Sequence, residues 1–359
     1  MKKKVCFVSG VISRSGGTER VGTIIANELC RRGYEVCILS FWNHGKSYYE
    51  IDKRIEVKYL LELKEGKLYR TYIYPIIKLH KFIKENNIDV LIDIDTTLTI
   101  FSSFAHLGTK CKLISWEHFN YWTMKRERKR ILAKIIVKIF SDKLVVLTNQ
   151  DLVEHVKKMK FKEDKIVRIY NPSPFGIFDE YTFENHIFLS IGRLSKEKGF
   201  DILLRAWSIF ESKNNTWKLQ IVGSGEEEES LNELIINLNL KNVEMIKHTK
   251  NVESYYKNAS CYVLSSRYEG FPMVILEAES FGLPIISFNC KTGPDEMVIN
   301  GKNGFLVENR SEEALANAML NFACLKKQSH SFSNKSKSLV SELSIDKIGD
   351  QWQKLIDKL

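Results

Sequence analysis

The chain has 359 residues, with 54 Lys and Arg against 44 Asp and Glu, 44% hydrophobic and 27% charged. That length exceeds the usual single domain and predicts two, each with its own core, while the composition is that of a globular chain and not of a disordered or fibrous one. Seven Cys without a C-x2-C pair, with Cys6, Cys37 and Cys261 inside apolar runs, argue against a disulfide framework or zinc site and for a reducing compartment. No run of about 18 uninterrupted apolar residues is present, and Met1 to Lys4 before Val5 to Val8 has no signal-peptide cleavage site after it, so a cytoplasmic protein is expected.

Val5 to Val8 reads as a first strand. Ser9 to Arg20 follows, then a helix from Val21 to Arg32 closed by Gly33, then a second strand over 35–41, which completes a βαβ unit. Gly16-Gly17, opening the helix, is where backbone amides can approach a phosphate or sugar. The loop is not G-x-G-x-x-G, and Ser40-Phe41-Trp42 stands where a dinucleotide fold carries a ribose-binding acid, which argues against a nicotinamide dehydrogenase.

A helix over 71–86 leads to a strand over 89–95 that ends in Asp93-Ile94-Asp95. This D-x-D admits two readings: a divalent-metal and diphosphate site, or a strand terminus with one Asp turned out and one capping Thr96-Thr97. The next strand stops at Ser115 and leaves Glu117 and His118 on a loop at the same sheet edge as Gly16. An amphipathic helix over 123–140 then carries Arg126, Arg130, Lys134 and Lys138 at four-residue spacing, with Ile131, Ile135 and Ile139 on another side. Residues 112–168 hold fifteen Lys and Arg against seven Asp and Glu, +8 of the chain's +10. The stripe is expected either as a solvated face or as a dock for an anionic membrane surface, and the two are compatible. Nucleic acid is not an expected partner, since no recognition motif accompanies the charge.

A strand over 143–147 and a helix capped at Thr148 precede Asn171-Pro172-Ser173-Pro174, a stiff connector taken as the boundary. The expected domains are 1–170 and 171–335, with 336–359 as a helix crossing back to the first and Ser329 to Ser344 as the least ordered stretch. The second domain opens with Ile187 to Gly192-Arg193 and continues to Lys198-Gly199. Arg193 and Lys198, five apart across a strand-to-helix turn, can converge on one anion, the first as a rigid fork and the second as a mobile point charge. Gly223-Ser224-Gly225 precedes four carboxylates, Glu226 to Glu229, which repel a diphosphate, so it reads as a structural turn. A buried strand over 259–266 then runs into Arg267 to Ala278. Glu269 falls on the loop, Gly270 permits close backbone approach, Pro272 is the expected first helical residue after Phe271, and Glu277 lies about a turn and a half into the helix. Both carboxylates can face the crevice at the carboxyl edge of the sheet and accept hydrogen bonds from sugar hydroxyls.

Glu269 and Glu277 around Gly270-Phe271-Pro272, together with Arg193 and Lys198-Gly199, resemble the E-x7-E and R-x4-K-G signatures of the family-4 (GT4) retaining glycosyltransferases, of the kind that build bacterial cell-surface polysaccharides. Gly16-Gly17 and His118 are similar to that family's glycine loop and cleft histidine. The resemblance implies an α/β GT-B fold, two Rossmann-like doubly wound parallel-sheet domains facing across a cleft. It also implies sugar transfer from a UDP-sugar donor to a saccharide or lipid-linked saccharide at the inner face of the cell membrane, without metal or other cofactor. Arg193, Lys198, Glu269 and His118 are then the catalytic candidates, and Gly16, Gly17, Gly192, Glu269, Gly270, Phe271, Pro272 and Glu277 the donor-binding ones. A sugar-nucleotide epimerase of the same fold and a catalytically silent sugar-nucleotide-binding partner are the alternatives.

Overall fold

The computed structural model describes residues 2–62, 73–124, 128–308 and 311–359. The chain forms two units, Met1–Pro172 with Ile345–Leu359 and Ser173–Ser344. In the first unit the order is β1 (Lys4–Ser9), α1 (Gly17–Arg31), β2 (Glu35–Trp42), β3 (Glu56–Leu61), α2 (Ile73–Glu85), β4 (Val90–Asp93), α3 (Thr99–Ala105), β5 (Lys112–Trp116), α4 (Tyr121–Met124), α5 (Arg128–Phe140), β6 (Lys143–Val146), α6 (Asn149–Met159) and β7 (Ile166–Arg168). The second unit holds β8 (Ile187–Ile191), α7 (Phe200–Glu211), β9 (Lys218–Val222), α8 (Glu228–Asn237), β10 (Val243–Ile246), α9 (Glu253–Asn258), β11 (Cys261–Leu264), α10 (Met273–Ser280), β12 (Ile285–Phe288), α11 (Pro294–Met297), β13 (Gly304–Val307), α12 (Glu312–Ala323) and α13 (Lys326–Ser341), after which α14 (Ile345–Asp357) returns to the first.

Each unit is built on one sheet whose pairings are all parallel, ordered β3-β2-β1-β4-β5-β6-β7 and β10-β9-β8-β11-β12-β13. The chemistry of the strands explains this: β4, β11 and β12 are buried at every position, as strands covered by helices on both faces must be. In both sheets the winding direction reverses beside the first strand, between β1 and β4 and between β8 and β11. Such switch points open a crevice at the carboxyl edge where doubly wound folds take their ligands. Thr148 and Ser311 start α6 and α12 by accepting the amides of Asp151 and Ala314. The core of the second unit is aromatic, with Trp217 stacked on Phe188 at 4.5 Å and Trp207 on Phe210 at 4.7 Å.

Three expectations need correction. Residues 329–341 are helical and well packed: α13 buries Ser329, Phe332, Ser333, Ser336 and Val340, and the Ser336 hydroxyl reaches the Leu283 carbonyl at 2.9 Å. Small hydroxylated side chains let this helix lie close to its neighbours, so its polar composition does not mean solvation. The chain also leaves the second unit only after Ser344, so the returning segment begins at Ile345 and not at residue 336.

The third concerns the basic stripe. Lys134 is fully buried against the carboxylate of Glu117, and Arg130 is largely buried with Asp95 at 3.5 Å and the Phe119 ring 3.8 Å below its guanidinium. Lys138 is half-buried, and Arg126 lies outside the described residues. The solvent side of α5 is instead apolar: Ile131, Leu132, Ile135 and Ile139 are 40%, 53%, 48% and 60% exposed. The rotation is set by Ala133 and Val137, which enter the core and carry Lys134 in with them, its charge neutralised by Glu117.

Candidate active site

In the second unit the switch point is framed by the loops that leave β8 and β11. Gly199, at φ +66°, lets them touch, because a Cβ there would sit 2.2 Å from the Ser265 carbonyl oxygen. Further bonds bind them together. The Ser265 hydroxyl donates to the Lys198 carbonyl at 3.0 Å, the Arg267 amide to the Glu197 carbonyl at 2.7 Å, and the Arg267 guanidinium forks onto Asp201 at 2.8 and 2.7 Å. As a result Lys198 Nζ lies 2.7 Å from Glu269 Oε1, which also accepts the Ser266 hydroxyl at 2.6 Å. The Glu269 backbone is held on both sides, its amide by the Lys291 carbonyl at 3.1 Å and its carbonyl by the Thr292 amide at 2.9 Å.

Gly270 follows, its carbonyl taking the Thr292 hydroxyl at 2.9 Å, and Phe271 is buried. Pro272 occupies the N-cap of α10 and not the first helical position, since its ψ of 94° is extended. Glu277 is the fifth residue of α10, buried, and accepts the Tyr256 hydroxyl at 2.8 Å. Arg193 is mostly exposed and pairs with Glu226 at 3.0 Å. The two cations expected to converge on one anion are thus each held by a separate carboxylate. The Gly223-Ser224-Gly225 turn serves packing: Cβ atoms at Gly223 and Gly225 would lie 1.9 and 2.3 Å from the carbonyl oxygens of Gly192 and Leu194. That close approach, with the Leu194 amide on the Ser224 carbonyl at 3.1 Å, fixes the Gly192-Arg193 segment.

In the first unit Gly16 caps α1 and Gly17 begins it, with no atom within 4 Å of the place a Gly17 Cβ would take. Asp93 and Asp95 have separate local tasks. Asp93 is buried and accepts the hydroxyls of Thr99 at 2.8 Å and Ser102 at 2.6 Å, and burial pushes its carboxyl up to about 7 against the pull of those donors. Asp95 caps the following turn through the Thr97 amide at 2.7 Å. Among the described residues no group of three or more His, Cys, Asp or Glu is placed to hold a metal ion.

After β5, Glu117 accepts the Thr96 hydroxyl and the Phe119 amide, both at 2.9 Å, besides its contact with Lys134. This pins the loop that carries His118. The His118 ring packs 4.6 Å from Trp116, and burial lowers its proton affinity to about 4, so the imidazole is neutral near pH 7. Its Nε2 is buried without a hydrogen-bond partner among the described residues. Sequence reasoning missed Tyr256, Ser266 and Asp201, and it named Thr96 and Lys134 without their contacts to Glu117. Each acts through a partner distant in the chain or a plain hydroxyl, and neither contact leaves a spacing signal.

Two doubly wound parallel sheets, with Lys198, Glu269 and Glu277 gathered on the loops and helix at the second switch point, define a GT-B glycosyltransferase. Residues 179–339 match the model of the glycosyl transferases group 1 and residues 15–173 that of glycosyltransferase family 4. The chain is 34% identical over 359 residues to an uncharacterized glycosyltransferase of Haemophilus influenzae, covering 99% of this chain and 100% of the relative. It is 29% identical over 365 residues, 98% of each chain, to a Campylobacter jejuni alpha-1,4-N-acetyl-D-galactosaminyltransferase named for the acceptor GalNAc-alpha-(1->4)-GalNAc-alpha-(1->3)-diNAcBac-PP-undecaprenol. Its fold matches that of Anabaena HepE, solved in complex with UDP-glucose, with a TM-score of 0.80 at 17% identity over 99% of this chain and 100% of HepE. The chain belongs to the family-4 glycosyltransferases.

Proposed function

We propose that this glycosyltransferase moves a sugar from a UDP-sugar to a hydroxyl of a saccharide or lipid-linked saccharide at the cytoplasmic face of the membrane, with anomeric configuration retained, in bacterial cell-surface polysaccharide synthesis. The observation that carries the reading is the meeting of Lys198 and Glu269 at the second switch point, on loops tied by Gly199, Ser265 and Arg267. The donor assignment is supported by UDP-glucose in HepE, and the lipid-linked acceptor by the undecaprenol acceptor in the Campylobacter relative's name.

In this mechanism the bond from the anomeric carbon to the β-phosphate oxygen breaks, the acceptor oxygen bonds to the same face of that carbon, and the acceptor proton passes to the departing diphosphate. Arg193 and Lys198 stabilise the charge that builds on the diphosphate, a preorganised electrostatic role that calls for no metal. Glu277 takes the ribose hydroxyls, Glu269 the hydroxyls of the donor sugar, and the amides following Gly270 the phosphate. Gly16, Gly17 and the neutral imidazole of His118 act from the first unit on the sugar and the acceptor.

Calorimetric titration of UDP in EDTA tests the donor site. Wild type is expected to bind without divalent metal, and Glu277→Ala about 10- to 100-fold more weakly, the loss of hydrogen bonds to a charged group. Binding that requires a divalent ion, or that ignores the substitution, overturns the assignment.

A further inference from the structure

Glu277, the ribose-binding carboxylate of the proposed mechanism, is reached from α9 by Tyr256. The tyrosine is fully buried and donates its hydroxyl to Glu277 Oε2 at 2.8 Å, from 21 positions earlier in the chain. Its ring is fixed as well. Phe281, the C-cap of α10, stacks on it at 5.4 Å with 8° between the planes, and Tyr262 of β11 lies 6.1 Å away. Glu277 and Phe281 stand four apart on one helix and so share a side of it. Tyr256 therefore lies along α10, with its ring on Phe281 and its hydroxyl on Glu277.

A buried tyrosine hydroxyl needs an acceptor, and a backbone carbonyl is enough. In the same unit Tyr262 meets that need on the Ile191 carbonyl at 3.0 Å and Tyr181 on the Ser260 carbonyl at 2.9 Å. Tyr256 goes instead to a carboxylate at the switch point. We propose that Tyr256 is a positioning residue for the donor: it fixes the Glu277 carboxylate in the orientation that receives the vicinal hydroxyls of a ribose, and so makes the chain selective for ribonucleoside over deoxyribonucleoside diphosphates. An ionised carboxylate only accepts hydrogen bonds, at about four lone-pair sites. A phenol takes one of them without cancelling the charge, and the rest stay strong acceptors for hydroxyls. Glu269 differs, since the Lys198 ammonium already neutralises it. Without the Tyr256 hydroxyl the Glu277 side chain regains rotamer freedom, which ligand binding then has to remove.

This rests on the reading of Glu277 as the ribose-binding residue, and one experiment separates the two. UDP and 2′,3′-dideoxy-UDP are titrated calorimetrically into wild type and Tyr256→Phe, a change that deletes one oxygen and keeps the stacked ring. Wild type is expected to prefer UDP about 10- to 100-fold. In Tyr256→Phe that preference is expected to shrink at least about fivefold, with UDP bound more weakly and the dideoxy analogue bound as in wild type. A role confined to packing would weaken both nucleotides alike, and an unchanged ratio overturns the proposal. A double-mutant cycle gives a second readout. In a Glu277→Ala background Tyr256→Phe is expected to cost no UDP affinity, and a full cost there also overturns the proposal. Wild type that binds both nucleotides equally overturns the ribose reading of Glu277 and the positioning role with it. A wild-type preference that survives Tyr256→Phe overturns the positioning role alone.

Discussion

Lys198 and Arg193 carry the same charge in different settings. The Lys198–Glu269 pair is largely withdrawn from water, with side chains 27% and 10% exposed, whereas Arg193 and Glu226 are 73% and 51% exposed. An exposed pair is screened and easily exchanged for another anion, so Arg193 is freely available to a diphosphate. Lys198 is preorganised, its backbone fixed by Ser265 and its ammonium by Glu269, and a fixed charge is the kind that stabilises a transition state. We therefore expect Lys198→Ala to lower kcat about 10²- to 10³-fold and Arg193→Ala to cost less. Lys198→Arg should not restore the rate, because a planar fork does not replace a point charge between Glu269 and a phosphate oxygen. Transfer of radiolabelled sugar under saturating donor measures this. Wild-type turnover in Lys198→Ala would remove the residue from the mechanism.

At the scale of elements, β4 is joined to α3 by Asp93, whose buried carboxyl receives the hydroxyls of Thr99 and Ser102. Its proton affinity is raised from the ordinary 3.8 to about 7, chiefly by burial, so between those values the folded chain holds a proton that the unfolded chain has lost. Stability from this group is present at low pH and is lost as pH rises towards 7, by at most about 1.4 kcal/mol per pH unit. Asp93→Asn, permanently neutral, should lack this slope, so the variant gains on wild type between pH 5 and pH 8 in urea midpoints. An identical difference at both pH values would mean that Asp93 does not titrate there. The same strand shows what a sequence can and cannot display. Buried parallel strands such as β4 and β11 are legible as apolar runs, and Arg193, Lys198, Glu269 and Glu277 as spacings within one loop or helix. The facing of α5 was not, because Lys134 enters the core by pairing with Glu117, seventeen positions earlier in the chain, a contact that exists only once β5 and α5 have packed. Likewise α13 hides behind serines whose partners, such as the Leu283 carbonyl, are far away in sequence.

At the scale of the molecule, the chain passes from the first unit to the second after Pro172 and returns at Ile345, so the first unit is finished only when the last residues arrive. α14 brings Ile348, Trp352 and Ile356 to one buried side at four-residue spacing, and its Asp350 meets Arg32, the C-cap of α1, at 2.6 Å. Trp352 packs 4.6 Å from Trp116, the last residue of β5, immediately before Glu117 and His118. The His118 loop therefore rests on a residue more than 230 positions away in sequence, while the residues proposed to hold the nucleotide, Arg193, Lys198, Glu269 and Glu277, all lie within residues 173–344. Trp352→Ala should destabilise the first unit by about 3–5 kcal/mol, the usual cost of truncating a buried aromatic, and the two units need not unfold together. The expected outcome is an early unfolding transition and a fall in sugar transfer, with UDP affinity close to wild type. If UDP affinity falls in step with transfer, the donor unit depends on α14 and the two cores do not stand separately.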